Sequence, residues 1–469
     1  MSRFYLDGGP NDRLKLWHVL AVGLVVRLAM APWLAHPFDI DRFYLNGENF
    51  LTGKVGISYY LIPYRLAFFL FLFPATWGFN AISAYAGSFS IPLSSLNPIL
   101  IPPAPFTITT VPGPLFDFLL KLPLIASDTL VALLLYRVIK DAATTQTAAH
   151  VAALWYLNPL VIWVSSGWGM WDTLPVLFTV ITLALALEGR FTLAALSLFV
   201  AIALKLYPVV LLVPLSIYAW KTERIRTVGL LILTVATLAA VLFGYEFHGV
   251  MTELGSVVGG TSGESTYSSA LTFWTAFTLF ESVPQQALIS LTIGLVSMAA
   301  LYLWMLLRPV RRGLFELAAY FALSIAVVLV TFRVVEENYF VWLLPFAATF
   351  SLADAKSRPL YWAVSALALL SSVTASLLPF YLLPVSPEVQ GLLVSMLSLA
   401  GPYRVAPSGS VVAGITFGKV YLAILGLAAS AILVAFILRV AGQEKRELSG
   451  PGEVKVIYAV PVPVDDSSR

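Results

Sequence analysis

The chain has no cysteine. Disulfides and thiolate metal sites are therefore excluded, and the redox state of its compartment leaves no mark. Charge is scarce: Asp, Glu, Lys and Arg make up 11% of 469 residues, against about 25% in a soluble domain. Between Thr76 and Phe116 there is no charged residue at all. Four histidines, none in HExxH spacing, give no zinc-enzyme signature. The net charge of +3 says little, because here the position of each charge matters more than the sum, and no nucleic-acid partner is expected. Internal repeats of the kind common in secondary transporters are not evident.

What is abundant is apolar sequence: 59% of residues are hydrophobic and the mean hydropathy is +0.87. Runs long enough to cross a hydrocarbon core of about 30 Å recur along the chain, so a polytopic all-α transmembrane bundle is expected. Residues 1–15 are polar and lack the apolar stretch and cleavage site of a signal peptide, so the first apolar segment is expected to be retained. Lys and Arg favour the cytoplasmic ends of spans. Arg3, Arg13 and Lys15 then place the N-terminus inside, and a first span at Leu16–Ala35 delivers His36 to the outside. The span at Pro114–Ile139 ends in Arg137 and Lys140, which belong inside, so its start is external. Parity then makes Tyr60–Phe79, interrupted by Pro63 and Pro74, a re-entrant or interfacial segment. Residues 36–113 form one long external region.

Alternation continues through spans at His150–Ser165, Thr173–Leu187, Phe191–Leu204, Val209–Trp220, Thr227–Gly244, Gln285–Leu307, Leu314–Phe332, Tyr339–Leu352, Leu360–Leu383 and Val420–Arg439. That makes about 12 spans with both termini cytoplasmic, a transmembrane domain over residues 1–440 and a polar cytoplasmic tail over 441–469.

The stretch from His36 to Tyr60 concentrates the chemistry-bearing residues. Asp39 and Asp41 are two apart; in an extended segment both point to one side. One carboxylate can take a proton from an acceptor hydroxyl while the other orients it or holds a cation, with Mg2+ or Mn2+ the candidate ions. The bland alternative is a solvated loop with acids at a helix start. Charges also fall inside spans: Arg27, Asp117, Lys121 and Asp128. Asp117 and Lys121 are four apart and share a helix face. Such charges face a bundle interior or a cavity and serve as structural pairs or as a charge path for a lipid or solute transporter. Lys205 and Arg333 are predicted on the external side, where a phosphate group would need cations; snorkelling from a helix end is the plainer role for Lys205. Trp155, Trp163, Trp168, Trp171, Trp274 and Trp342 lie near span ends, as an interfacial belt would place them.

In order along the chain, these residues resemble the GT-C superfamily of polyprenyl-phosphate-dependent membrane glycosyltransferases, most closely the catalytic subunit of GPI mannosyltransferase I and its prokaryotic relatives. Asp39-Ile40-Asp41 stands where that family has Asp-x-Asp in its first external loop. Pro63-Tyr64-Arg65 resembles a following Tyr-Arg stretch, and Asp128 an acidic residue of the next span. Trp155-x-x-Asn158-Pro159 with Ser165-Ser166-Gly167, Lys205-Leu206-Tyr207-Pro208 and Tyr339-Phe340-x-Trp342 match later motifs. The turn Gly-Trp-Gly-Met-Trp-Asp172 and Arg42 depart from the GPI enzymes, so the acceptor need not be a GPI intermediate.

The resemblance implies an inverting hexosyltransferase, with mannose the first candidate sugar. The donor would be a polyprenyl- or dolichyl-phosphate sugar and the acceptor a lipid or lipid-linked glycan. It implies Asp39 and Asp41 as catalytic residues, and Lys205, Arg333, Arg27 and Arg65 as phosphate-binding residues. Arg42, Asp128, Trp168, Asp172, Tyr207, Glu337 and Tyr339 would be substrate-binding. The membrane would be the cell membrane in a prokaryote or the endoplasmic reticulum in a eukaryote. A non-catalytic subunit of a glycosylation complex is a third possibility.

Overall fold

The computed structural model describes residues 15–54, 71–86, 90–92, 110–223, 225–244, 271–277, 283–310, 313–333, 335–375 and 417–447. Among the described residues the chain is all-α apart from a short antiparallel ribbon, β1 (Ser90–Pro92) with β2 (Thr110–Pro112). In order, the helices are α1 (Leu16–Met30), α2 (Pro37–Leu51), α3 (Phe73–Ala86), α4 (Pro114–Ala142), α5 (Thr145–Tyr156), α6 (Pro159–Ile162), α7 (Thr173–Leu187) and α8 (Phe191–Leu204). They continue as α9 (Leu212–Thr222), α10 (Ile225–Phe243), α11 (Trp274–Phe277), α12 (Val283–Leu307), α13 (Leu314–Thr331), α14 (Leu344–Ala353), α15 (Arg358–Ala375) and α16 (Phe417–Glu447). This is an integral, multi-pass membrane protein.

Among the described residues, four helical segments are long and apolar enough to cross a membrane: Pro114–Ala142, Leu288–Leu307, Leu314–Thr331 and Ala423–Gly442. A fifth candidate is broken: α5 and the segment Pro159–Trp168 meet at 47°. Asn158 and Pro159 cause the break. Pro159 has no N–H to continue the α5 ladder, and the Asn158 side chain caps the new helix by accepting from the Leu160 N–H at 2.9 Å. Its amide then donates to Tyr361 and Ser365 of α15, both at 2.9 Å. The Trp-x-x-Asn-Pro sequence is thus a hinge between two half-helices and a cross-link. Leu16–Met30, Thr173–Leu187, Phe191–Leu204 and Ile225–Val241 are shorter apolar helices.

The main core is built by α4, α5, α7, α8, α13 and α14, with Trp155, Tyr156, Phe321, Phe340 and Phe346 fully buried. A second cluster packs α2 and α3 against α4. Ile40 and Phe43 of α2, Leu72, Ala75 and Phe79 at α3, Phe116 and Leu120 of α4, and Trp171 pack together. Phe43 lies 5.3 Å, centroid to centroid, from Trp171, and Tyr44 meets Phe116 edge-on at 5.3 Å. Helices α2 and α3 cross tightly: a Cβ on Gly47 would collide with the Thr76 side chain.

One expectation is corrected by α2. His36 is extended and Pro37 opens the helix at its first position, so Asp39 and Asp41 are both helical. Helical spacing sets positions two apart about 200° round the axis, so the pair is divided between faces rather than aligned. Arg65, most of Tyr60–Phe79 and the last third of Leu360–Leu383 lie outside the described residues, as does the side chain of Asp41.

Candidate active site

The site forms where α2 comes down on the turn between α6 and α7. Residues Trp163–Trp168 wind as a π-helix that ends at Gly169, whose φ is 91°. That left-handed conformation suits glycine, and an added Cβ would stand 2.9 Å from Cε of Lys121. Lys121 lies beneath this turn and ties it to the neighbouring helices. Its ammonium donates to Asp117 at 2.9 Å, to the carbonyls of Ala31 at 3.1 Å and Gly167 at 3.3 Å, and to that of Leu34. The expected Asp117–Lys121 pair is present, fully buried, and fixes the end of α1 against the turn.

The turn presents Trp168 to α2. Its indole N–H donates to Oδ2 of Asp39 at 2.6 Å. The same oxygen lies 3.2 Å from Nδ1 of His36, three residues earlier, both side chains being partly buried. Burial alone would push the Asp39 carboxyl up. His36, the Trp168 hydrogen bond and the field of Lys205 outweigh it and hold the carboxyl below the usual carboxylate range. Its Oδ1 accepts no hydrogen bond from a described residue. Arg42, half-buried, sits one turn along α2.

Beside this group lies Asp172, whose carboxylate has no exposed surface. Oδ1 accepts from Nζ of Lys205 and Nε1 of Trp342, each at 2.6 Å, and Oδ2 from Nδ2 of Asn338 at 2.6 Å. The local backbone explains the convergence. Lys205 is extended at the end of α8, and Tyr207-Pro208 starts a separate 3-10 turn, so the lysine turns inward instead of continuing a helix. Glu337–Trp342 form another 3-10 turn, which delivers Asn338 and Trp342 together. Trp342 is sandwiched between Tyr207, stacked at 3.8 Å, and Tyr339, stacked at 4.2 Å. The Lys205 ammonium stands 4.3 Å from the Tyr339 ring centroid, a cation–π distance.

Two more acids face this cluster from the same turn. Glu337 is buried and accepts from the Ser371 hydroxyl at 2.8 Å. Burial pushes Glu336 up to about 8, with the charges of Asp39, Glu337 and Asp172 adding to the effect and Lys205 opposing it. Glu336 is therefore protonated at neutral pH.

Among the described residues no three His, Asp or Glu side chains converge as a metal site. The oxygens of Asp172 are filled by N–H donors, and Oδ2 of Asp39 accepts from Trp168.

Of the residues singled out in the sequence, Asp39, Trp168, Asp172, Lys205, Tyr207, Glu337 and Tyr339 come together here. Arg27 and Asp128 do not join them. They pair with each other deeper in the bundle, Nε to Oδ2 at 2.8 Å, with no exposed surface on either. Ser165 also donates to that oxygen at 2.7 Å, and Arg27 donates to the Tyr156 carbonyl at 2.8 Å. Arg333 is half-buried, and burial lowers its pKa; no ion pair joins it to Asp39 or Asp172. His36, Glu336, Asn338 and Ser371 were not among the predicted site residues. Asn338 and Glu336 flank Glu337, and His36 flanks the acidic pair, so proximity to a predicted residue was the available signal.

A family model described as GPI transamidase subunit PIG-U matches residues 79–280. GPI mannosyltransferase 1 of Saccharomyces cerevisiae is 26% identical over 141 residues, which is 27% of this chain and 35% of the relative. Over these stretches the chain is similar to the two membrane-protein families. The yeast match spans about a third of that relative's length, and the PIG-U match begins after α2, so it takes in Asp172 and Lys205 but not Asp39.

Proposed function

We infer that this GT-C-like chain is a membrane glycosyltransferase. It moves a hexose, mannose first among candidates, from a polyprenyl-phosphate donor to a hydroxyl of a lipid-linked or membrane-proximal acceptor on the external face. The observation that carries this reading is Asp39: Trp168 donates to one of its oxygens, beside which His36 also stands, and the carboxyl is held below the usual carboxylate range.

In the reaction the acceptor oxygen attacks C1 of the sugar as its proton passes to Oδ1 of Asp39. The C1–O bond to the phosphate breaks on the opposite face, inverting the centre, and the electron pair leaves with the lipid phosphate. That phosphate gains negative charge, which cations at the mouth of the site stabilise. Lys205 is already balanced by Asp172 and offers its remaining N–H donors, and Arg333 is the second cation assigned to the phosphate. Glu336, carrying its proton at neutral pH, adds a neutral hydrogen-bond donor instead of a third repelling carboxylate.

The test is transfer by membranes carrying Asp39→Ala or Asp41→Ala, with lipid-linked glycans read by mass spectrometry. Loss of at least about 100-fold is expected for the base; near-normal rates in both variants would overturn the reading. The likeness to a transamidase subunit over residues 79–280 favours a second reading, a non-catalytic subunit of a membrane assembly. In that case Asp39 is dispensable, while variants that disrupt the Asp172 group still lose function.

A further inference from the structure

We propose that the groove between α8 and α10 binds an anionic glycerophospholipid of the cytoplasmic leaflet, with an acyl chain along its leucines and the phosphate on Arg226. None of the residues of the Asp39 site takes part, so this lipid site does not depend on the glycosyltransferase reading.

The groove has a volume of about 370 Å³, within the range of about 300–1,000 Å³ usual for ligand sites. Leu193 and Leu196 of α8 form one wall, and Leu230, Leu233 and Thr237 of α10 the other. Its polar groups are threonine hydroxyls, and that of Thr234 is spent on the Leu230 carbonyl at 2.7 Å. Hydrocarbon is what such walls accept without leaving a polar group unpaired. The leucines are also exposed, Leu233 to 60%, so in a membrane the groove is open to lipid from the side. At one end it closes, where Phe199 and Ala203 of α8 pack against Leu238 and Ala239 of α10. The two helices therefore run the same way, and the groove leads towards their starts.

The helix starts carry the charge that selects the head group. Arg226 is exposed in the first turn of α10. Its spacing to Leu230 and Leu233, four and seven residues on, sets it on the groove face. The start of α8 follows Arg190 directly. Arg190 and Arg137 share one acid, Glu188, at 3.3 and 3.5 Å. The turn before α8 and the link before α10 meet: a Cβ on Gly189 would lie 4.0 Å from Oε1 of Glu223. Of these groups three are arginines and two are glutamates, and among the described residues Arg226 makes no ion pair. Basic side chains mark the cytoplasmic end of a span, where the leaflet is anionic and basic pockets between helices hold anionic head groups. A guanidinium meets a phosphate through two parallel hydrogen bonds. The donor of the transfer reaction is not the occupant: the 14 residues of α8 set Lys205 at the other end, about 20 Å away.

The experiment uses the full purified chain, stripped of lipid in detergent and then offered phosphatidylglycerol, phosphatidylcholine with the same chains, or undecaprenyl phosphate. Native mass spectrometry measures the lipid retained, and Tm reports the stabilisation it brings. Wild type is expected to retain phosphatidylglycerol about tenfold over phosphatidylcholine, as a contact to a charged group implies, and to gain Tm with it. Arg226→Gln should lose that preference, and Leu233→Trp, which fills the groove, should retain neither phospholipid. Leu295→Trp, at an exposed position of α12, is the control and should behave as wild type. Equal retention of the two phospholipids by wild type, or a preference that survives in either groove variant, overturns the site. Preferred retention of undecaprenyl phosphate would make the groove a donor channel and overturns it as well. If one groove variant fails to fold, the other still decides where the lipid sits.

Discussion

Trp168 and Asp39, 129 residues apart in sequence, are joined by one hydrogen bond of 2.6 Å from the indole N–H to Oδ2. The bond fastens α2 to the π-helical turn of the bundle. It also donates to the charged form of the carboxyl, which favours ionisation.

Replacing Trp168 by Phe keeps the ring and deletes the donor. A hydrogen bond to a charged group contributes about 1.5–3 kcal/mol, so transfer should fall tenfold or more, to order of magnitude. Asp39 also loses one of the groups that hold its carboxyl down, so the acid limb should shift to higher pH. Initial rates across pH measure both. An unchanged profile would mean that Trp168 only fills space.

Asp172→Ala leaves the Lys205 ammonium and two N–H groups without their acceptor. Breaking a buried pair in this way costs about 3–5 kcal/mol, and Lys205 is only 13% exposed. Thermal unfolding in detergent should show a large drop in Tm for Asp172→Ala and a smaller one for Asp172→Asn. Lys205→Met in the Asp172→Ala background should recover part of the loss, because it removes the stranded charge.

Arg27 and Asp128 form a closed pair without exposed surface. Arg27→Leu or Asp128→Leu alone should destabilise by about 3–5 kcal/mol, and the double substitution by less than the sum. A double-substituted protein that folds should keep measurable transfer, since neither side chain reaches Asp39. Loss of all transfer with normal folding would instead place the pair in the reaction path.

Glu336 has its pKa raised from the usual 4.5 to about 8. Between those values the folded protein holds a proton that the unfolded chain releases. Its contribution to stability is therefore full below about pH 4.5 and is lost as pH rises through about 8. Denaturation midpoints should fall over that window in wild type, and Glu336→Gln should flatten the slope. An equal slope in the variant would assign the effect to another group.

Much of the architecture is legible in the chain. Runs of apolar residues mark the helices because a bilayer demands that length and that composition. Asp117 and Lys121, four apart on one helix, had to share a face, and the structure pairs them. The Asn158-Pro159 break follows from a residue that cannot donate and a side chain that caps. The divided faces of Asp39 and Asp41 were not legible, because an Asp-x-Asp spacing reads differently in a strand and in a helix, and Pro37 decided for the helix. Nor was the fate of Lys205: a lysine at a helix end is as ready to snorkel to solvent as to turn inward, and only Asp172, 33 residues earlier, draws it in.

By itself, then, the sequence determined that this protein lives in a membrane, that its few charges are confined to certain levels of the bundle, and that an acidic segment lies just beyond the first span. These are consequences of local composition and spacing. Which charges neutralise one another was decided only by tertiary packing. Asp172 gathers donors from Lys205, Asn338 and Trp342, up to 170 residues away, and Arg27 finds Asp128 across 101 residues. Burial makes an unpaired charge costly, and the fold settles each pairing by bringing the partners within reach. Asp39 finds Trp168 across 129 residues in the same way.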